Sequence, residues 1–178
     1  MRYASMRKLD ISNGEDIGAS IFVQGCHFHC FNCFNSETWD FKGGHEWTQE
    51  KEDQFFNIVS SEHIKRVSFL GGEPLASENL SDIHHLMKRI HDKLPEKKIW
   101  LYTGYTWEEI FPEDGIDDFD LIKSTRQEIV KMCDVVVDGP FIDAMKDFNL
   151  KWCGSSNQRV TDVKKTMREK RIVEWGEG

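Results

Sequence analysis

The chain has 178 residues, 39% of them hydrophobic and 12% aromatic, which is enough to bury the core of one compact domain spanning 1–178. Thirty-one acidic residues against 23 basic ones leave a net charge of −8, which repels phosphate backbones and anionic lipid and argues against nucleic acid or membrane as partners. No stretch approaches the roughly 20 apolar residues of a membrane span, and charges interrupt the opening MRYASMRKLDISNGED, so a soluble, cytoplasmic protein is expected.

Four short runs rich in β-branched and aromatic residues read as strands: ASIFVQ (19–24), RVSFL (66–70), KIWLYT (98–103) and CDVVVD (133–138). They lack polar alternation, which suits strands covered on both faces in a parallel sheet with helical crossovers. Helical patterns fill the gaps. Phe55, Phe56, Ile58 and Val59 mark an apolar face after Thr48, and Leu80, Ile83, Met87, Ile90 and Leu94 recur at helical spacing behind Ser77 or Asn79 as cap. Ser124-Thr-Arg-Gln127 has the form of a capping box before Ile129 and Val130. A charged helical pattern, VKKTMREKR, follows Thr161, and the closing GEG is expected to fray.

This alternation predicts right-handed βαβ units, while a closed eight-stranded barrel needs at least about 200 residues. The expected fold is therefore α/β, an open or partial βα barrel of mostly parallel strands. Ligands collect at the C-terminal strand ends of such folds. Four motifs should share that rim: the cysteine loop, GGEP, TGY and DGPF.

Three of the five cysteines fall within eight residues, in Cys26-His-Phe-His-Cys30-Phe-Asn-Cys33. An odd count clustered this way fits metal binding in a reducing compartment better than a disulfide framework. Thiolates suit zinc or iron–sulfur clusters, and a cubane held by three of them leaves one iron open to a substrate. A structural zinc site, with His27 or His29 as fourth ligand, is the competing reading of the loop. Cys133 and Cys153 stand apart and read as small buried hydrophobes or ordinary thiols.

Gly71-Gly72-Glu73-Pro74 closes the second strand, where paired glycines let backbone groups approach a ligand, although GGEP alone is also an ordinary turn. Thr103 and Asp138 end the third and fourth strands, offering a hydroxyl and a carboxylate to the same pocket. Asp138 before Gly139-Pro140 equally suits a turn. Ser155-Ser-Asn-Gln-Arg159 reads as a solvated polar loop.

QGCHFHCFNCFN, GGEP, YTGY, VVVDGPF and GSSNQR, in this order, resemble the radical S-adenosylmethionine enzymes and, among them, the anaerobic ribonucleotide reductase activating proteins. The resemblance runs over most of the chain. It implies a radical S-adenosylmethionine type of barrel and a [4Fe–4S] cluster on Cys26, Cys30 and Cys33, with S-adenosylmethionine on the unique iron. The cofactor carries the hard chemistry: reductive cleavage, then removal of a hydrogen from a glycine of the reductase. The same matching places Gly71, Gly72 and Glu73 at the methionine amino group, the loop at Asn32, Cys33 and Phe34 near the adenine, and Thr103 and Asp138 in the pocket wall. Asn157, Gln158 and Arg159 become candidate partner contacts, and an electron donor such as flavodoxin is implied. Asn32 stands where many relatives carry an aromatic residue, and Cys153 where arginine is usual. YTGY and VVVDGPF argue against a formate-lyase-type activase or a deazaguanine-forming synthase. The alternative of another class is a non-catalytic binding module stabilised by zinc.

Overall fold

The computed structural model describes residues 1–115 and 119–176. Seven strands, β1 (Arg2–Asp10), β2 (Gly18–Val23), β3 (His45–Glu46), β4 (Arg66–Gly71), β5 (Lys98–Tyr102), β6 (Val135–Asp138) and β7 (Arg159–Asp162), form one sheet in the order β3-β1-β2-β4-β5-β6-β7. β2, β4, β5 and β6 are parallel, whereas β1, β3 and β7 pair antiparallel at the edges. The result is a mixed α/β sheet whose parallel centre is the four expected strands.

Among the described residues five α-helices accompany the sheet: α1 (Gln49–Val59), α2 (Leu80–Lys93), α3 (Trp107–Ile110), α4 (Leu121–Met132) and α5 (Val163–Glu169). Alternation along the central strands divides the sheet into two unlike faces. Ile21, Phe69, Leu101 and Val136 stand in register on one face and pack against Phe55, Ile83, Met87, Ile90 and Ile129 of the helices. The opposite face carries Ser20, Ser68, Trp100 and Val135 in one row and Phe22 beside Leu70, then Tyr102 beside Val137, above it. Trp152 and Trp175 close part of that face, with ring centroids 5.1 and 5.9 Å from Trp100.

One helix start differs from the sequence reading. α4 begins at Leu121, capped by Asp120, whose side chain accepts from the Lys123 N–H at 3.0 Å. Ser124 and Thr125 lie inside its first turns and donate back to the Leu121 carbonyl at 3.1 and 2.7 Å, so their hydroxyls satisfy a helical carbonyl rather than cap an end. A true capping box joins Thr106 and Glu109 in α3. Asn79 does occupy the α2 cap, but its side chain makes no capping bond. Of the closing GEG, Glu177 and Gly178 lie outside the described residues.

No described helix is long and apolar enough to cross a membrane.

Candidate functional site

The cysteine loop grows directly out of β2 and is fixed at its base. The Gly25 and Cys26 N–H groups donate to the Thr38 and Trp39 carbonyls at 2.7 and 3.0 Å. Gly25 has φ +95°, and a Cβ there would meet the Phe41 ring at 2.1 Å, so only glycine fits this bend. Further along, the Cys33 N–H closes a turn onto the Cys30 carbonyl at 3.0 Å, and the Asn35 N–H points to the Cys33 Sγ at 3.4 Å. Asn32 in that turn has φ +56°, a left-handed conformation that asparagine tolerates far better than a bulky ring.

GGEP is sewn to the base of the same loop. The Gly72 N–H donates to the Val23 carbonyl at 2.8 Å and the Glu73 N–H to the Gly25 carbonyl at 2.7 Å. A Cβ on Gly72 would sit 2.4 Å from the Gly25 oxygen, and one on Gly71, at φ +104°, would press on the Phe22 backbone. The paired glycines therefore serve the close crossing of two chain segments. Asn79 fastens the crossing from below, its Nδ2 donating to the Gln24 and Glu73 carbonyls at 3.1 and 3.0 Å.

The Glu73 carboxylate is buried and accepts three bonds: from Leu75 N–H and Thr103 Oγ1 at 2.8 Å on one oxygen, and from Gly104 N–H at 2.7 Å on the other. It thereby clasps GGEP to TGY. Burial pushes its pKa up to about 7 against the opposing effect of those three donors. Glu73→Gln turns an amide NH2 toward a donor and is expected to cost about 1–3 kcal/mol in urea unfolding. With an ordinary value of 4.5 and a folded value of about 7, the folded state holds the extra proton between them. The stabilisation from this proton, about 3 kcal/mol, is complete below the ordinary value and lost as pH rises through the folded one. Urea titrations across that window should show the slope in the parent protein and lack it in Glu73→Gln; equal slopes in both would assign it elsewhere.

Cys26, Cys30 and Cys33 line one cavity of about 420 Å³ with Phe34, Gly71, Gly72, Glu73, Thr103 and Gln158. Aromatic walls come from Phe28, Trp39 and Phe141. Phe28 lies over Gly104, where an added Cβ would meet its ring at 2.6 Å, and packs edge-on against Tyr105 at 5.0 Å. Burial pushes the Cys26 and Cys30 thiols up, so a bound cation is what would hold them as thiolates. Both histidines of the loop have other partners: His27 Nε2 lies 2.9 Å from Glu78, and the His29 ring stacks on Trp39 at 4.6 Å. Among the described residues no three His, Cys, Asp or Glu side chains form a single-ion group. Three soft donors around an aromatic-walled cavity fit an iron–sulfur cluster.

The remaining sequence candidates sit differently. Asn32 and Asp138 are not among the cavity-lining residues. Asp138 is fully buried and accepts from the Trp107 N–H at 2.9 Å, Thr161 Oγ1 at 3.1 Å and the Arg159 guanidinium. Arg159 also forks onto Glu108 at 2.8 and 2.7 Å. Asn157 donates to the Pro140 carbonyl at 2.8 Å, and Gln158 both donates to the Gly139 carbonyl at 3.0 Å and accepts from the Gly154 N–H at 2.9 Å. The GSSNQR run is thus an internal brace for DGPF rather than a solvated loop.

Sequence reasoning passed over Arg7, Tyr102 and Trp152 as cavity residues. Tyr102 was recoverable, since strand alternation puts it on the face opposite Leu101. Cys153, expected to be an ordinary thiol, also lines the cavity, whereas Cys133 is a buried small residue with its Sγ 3.3 Å from the Ile129 carbonyl.

A family model described as a 4Fe-4S single cluster domain matches residues 12–161. The chain is 38% identical over 162 residues to the anaerobic ribonucleoside-triphosphate reductase-activating protein of Vibrio cholerae serotype O1, covering 90% of this chain and 97% of that protein. The chain belongs to the reductase-activating protein family. Its Escherichia coli K12 member is 36% identical over the same shares, and that of Enterobacteria phage T4 is 31% identical over 90% of this chain and 93% of its own. Within this reductase-activating family, the cysteine loop, GGEP and TGY all fall inside the matched cluster domain.

Proposed function

We propose that this chain activates an anaerobic ribonucleoside-triphosphate reductase by placing a glycyl radical on it, with a [4Fe–4S] cluster held by Cys26, Cys30 and Cys33 and S-adenosylmethionine bound beside it. The observation that carries this reading is the convergence of the three cysteines, the Gly71-Gly72 crossing and the Glu73 clasp on one cavity. When bound, the cluster supplies the electron for reductive cleavage of S-adenosylmethionine, whose fragment takes a hydrogen atom from the reductase glycine. The protein's own part is positioning and exclusion of water. Cys26, Cys30 and Cys33 hold the cluster. Gly71, Gly72 and Glu73 shape the wall that receives the methionine end, while Phe34 and Thr103 border the remainder and Asn32 acts from outside it by forming the Cys30–Cys33 turn. Asp138 and Arg159 act from behind by fixing β6 to β7, and Asn157 and Gln158 hold the DGPF turn open to a partner.

The fold reading is a partial βα barrel of radical S-adenosylmethionine type, supported by four parallel strands with helices on one face and the cavity on the other. A main hydrophobic core drawing residues from Tyr3 to Val163, with a smaller cluster around Trp100 on the other face of the same sheet, supports a single domain. Five free cysteines favour a reducing, cytoplasmic setting. A small donor such as flavodoxin would deliver the electron at the partly exposed Cys30–Cys33 turn.

Anaerobic reconstitution tests the reading. Brown protein with about four irons per chain, bleached by dithionite, that raises a glycyl radical signal on purified reductase is expected. One zinc without colour, or a reductase that gains no signal, overturns it.

A further inference from the structure

We propose that the aromatic rim built from Phe34, Lys146 and Phe148 is the docking face for the reductase, and that it receives a segment carrying an acidic side chain between apolar ones. This rests on the activating function proposed above. Phe148 is 83% exposed and Phe34 56% exposed. The Lys146 ammonium lies 4.9 Å from the Phe34 ring centroid and 4.8 Å from that of Phe148, so one cation joins two rings into a single patch. Phe34 in turn meets Phe141 at 5.2 Å, and both of these rings line the cavity. The patch therefore runs unbroken into the mouth through which a macromolecular glycine must pass.

A lone exposed phenylalanine is ordinary, but bridged rings continuous with a site mark an interaction surface. Its backbone is already fixed: the Ser156 N–H donates to the Met145 carbonyl at 2.9 Å, and Lys146 bridges Ser155. A partner docking here orders little. Charge selects the occupant. Among the described residues Lys146 is held by rings and forms no ion pair, leaving a free cation on a chain of net charge −8. An incoming carboxylate gains from that cation, and apolar neighbours gain from Phe148 and Phe34.

Phe148→Ser and Lys146→Glu lie outside the cavity wall, so the cluster content and the reductase-independent cleavage of S-adenosylmethionine should match the parent protein. Affinity for purified reductase, measured anaerobically with the reconstituted protein, should weaken about tenfold in each. Glycyl radical yield should recover at high reductase concentration. Parent-level affinity in both variants, with the parent protein activating the reductase, overturns this inference alone. So does a loss of self-association by sedimentation without any change in reductase affinity, which would assign the patch to a second copy. A parent protein that activates no reductase overturns the functional reading and this inference with it.

Discussion

Cys30→Ser is expected to remove the cluster and with it every trace of glycyl radical on the reductase, while leaving the fold intact. Serine keeps the shape of the residue but replaces a soft sulfur donor with a hard hydroxyl that suits iron–sulfur clusters far less well. Cys30 sits partly exposed in a turn closed by the Cys33 N–H, and serine can accept that turn without strain. Iron and sulfide content after reconstitution should fall more than about 100-fold, beyond what loss of an outer partner costs a metal site. Circular dichroism and urea unfolding of the unreconstituted protein should be unchanged. A variant that retains the brown chromophore would show that Cys30 is not a ligand.

The second large effect is on stability. Arg66 is fully buried at the start of β4, where its guanidinium donates to the Asn13, Glu15 and Asp10 carbonyls at 2.7, 2.9 and 2.8 Å and also reaches Ser68 Oγ. The loop from Asp10 to Gly18 is folded around that side chain: added Cβ atoms at Gly14 and Gly18 would lie 2.5 and 2.6 Å from Arg66 atoms. Burial lowers the guanidinium pKa, opposed by the neighbouring Asp10. Arg66→Met roughly keeps the volume but takes the guanidinium donor from the Asp10, Asn13 and Glu15 carbonyls and the neighbouring cation from Asp10. A loss of about 3–5 kcal/mol is expected in urea unfolding, as for breaking a buried pair from one side. Asp10→Asn, which retains a polar side chain in the same place, should cost less. Equal stability of Arg66→Met and the parent protein would mean that the loop closes without this cation.

The central strands were legible because β2, β4, β5 and β6 are covered on both sides and so read as continuous apolar runs. The edge strands were not. β1 carries Arg2, Arg7, Lys8 and Asp10, with much of its length exposed, and β7 is four residues long, so neither leaves a periodic signal. Ser124-Thr-Arg-Gln127 misled because a capping box and two hydroxyls inside a helix look alike until the preceding turn is placed. At the site, Cys26, Cys30 and Cys33 were legible from spacing, and GGEP and TGY from their positions at strand ends. The role of Glu73 was not, because its partners, Thr103 and Gly104, lie 30 and 31 residues away. Asp138 shows the same limit: its partners come from β7 and α3, contacts that only the closed sheet creates.

The unlike faces of the sheet also set where the chain tolerates a change of length. Inserting one residue directly after Arg66 would turn Ser68 and Leu70 onto the helices and send Val67 and Phe69 to the cavity side, exchanging core residues for polar ones along the rest of the strand. The parallel strands are in this sense length-locked. Changes of length are accommodated at far lower cost in the segments beyond the strand ends, so the size and shape of the rim can change while the floor beneath it keeps a fixed residue count.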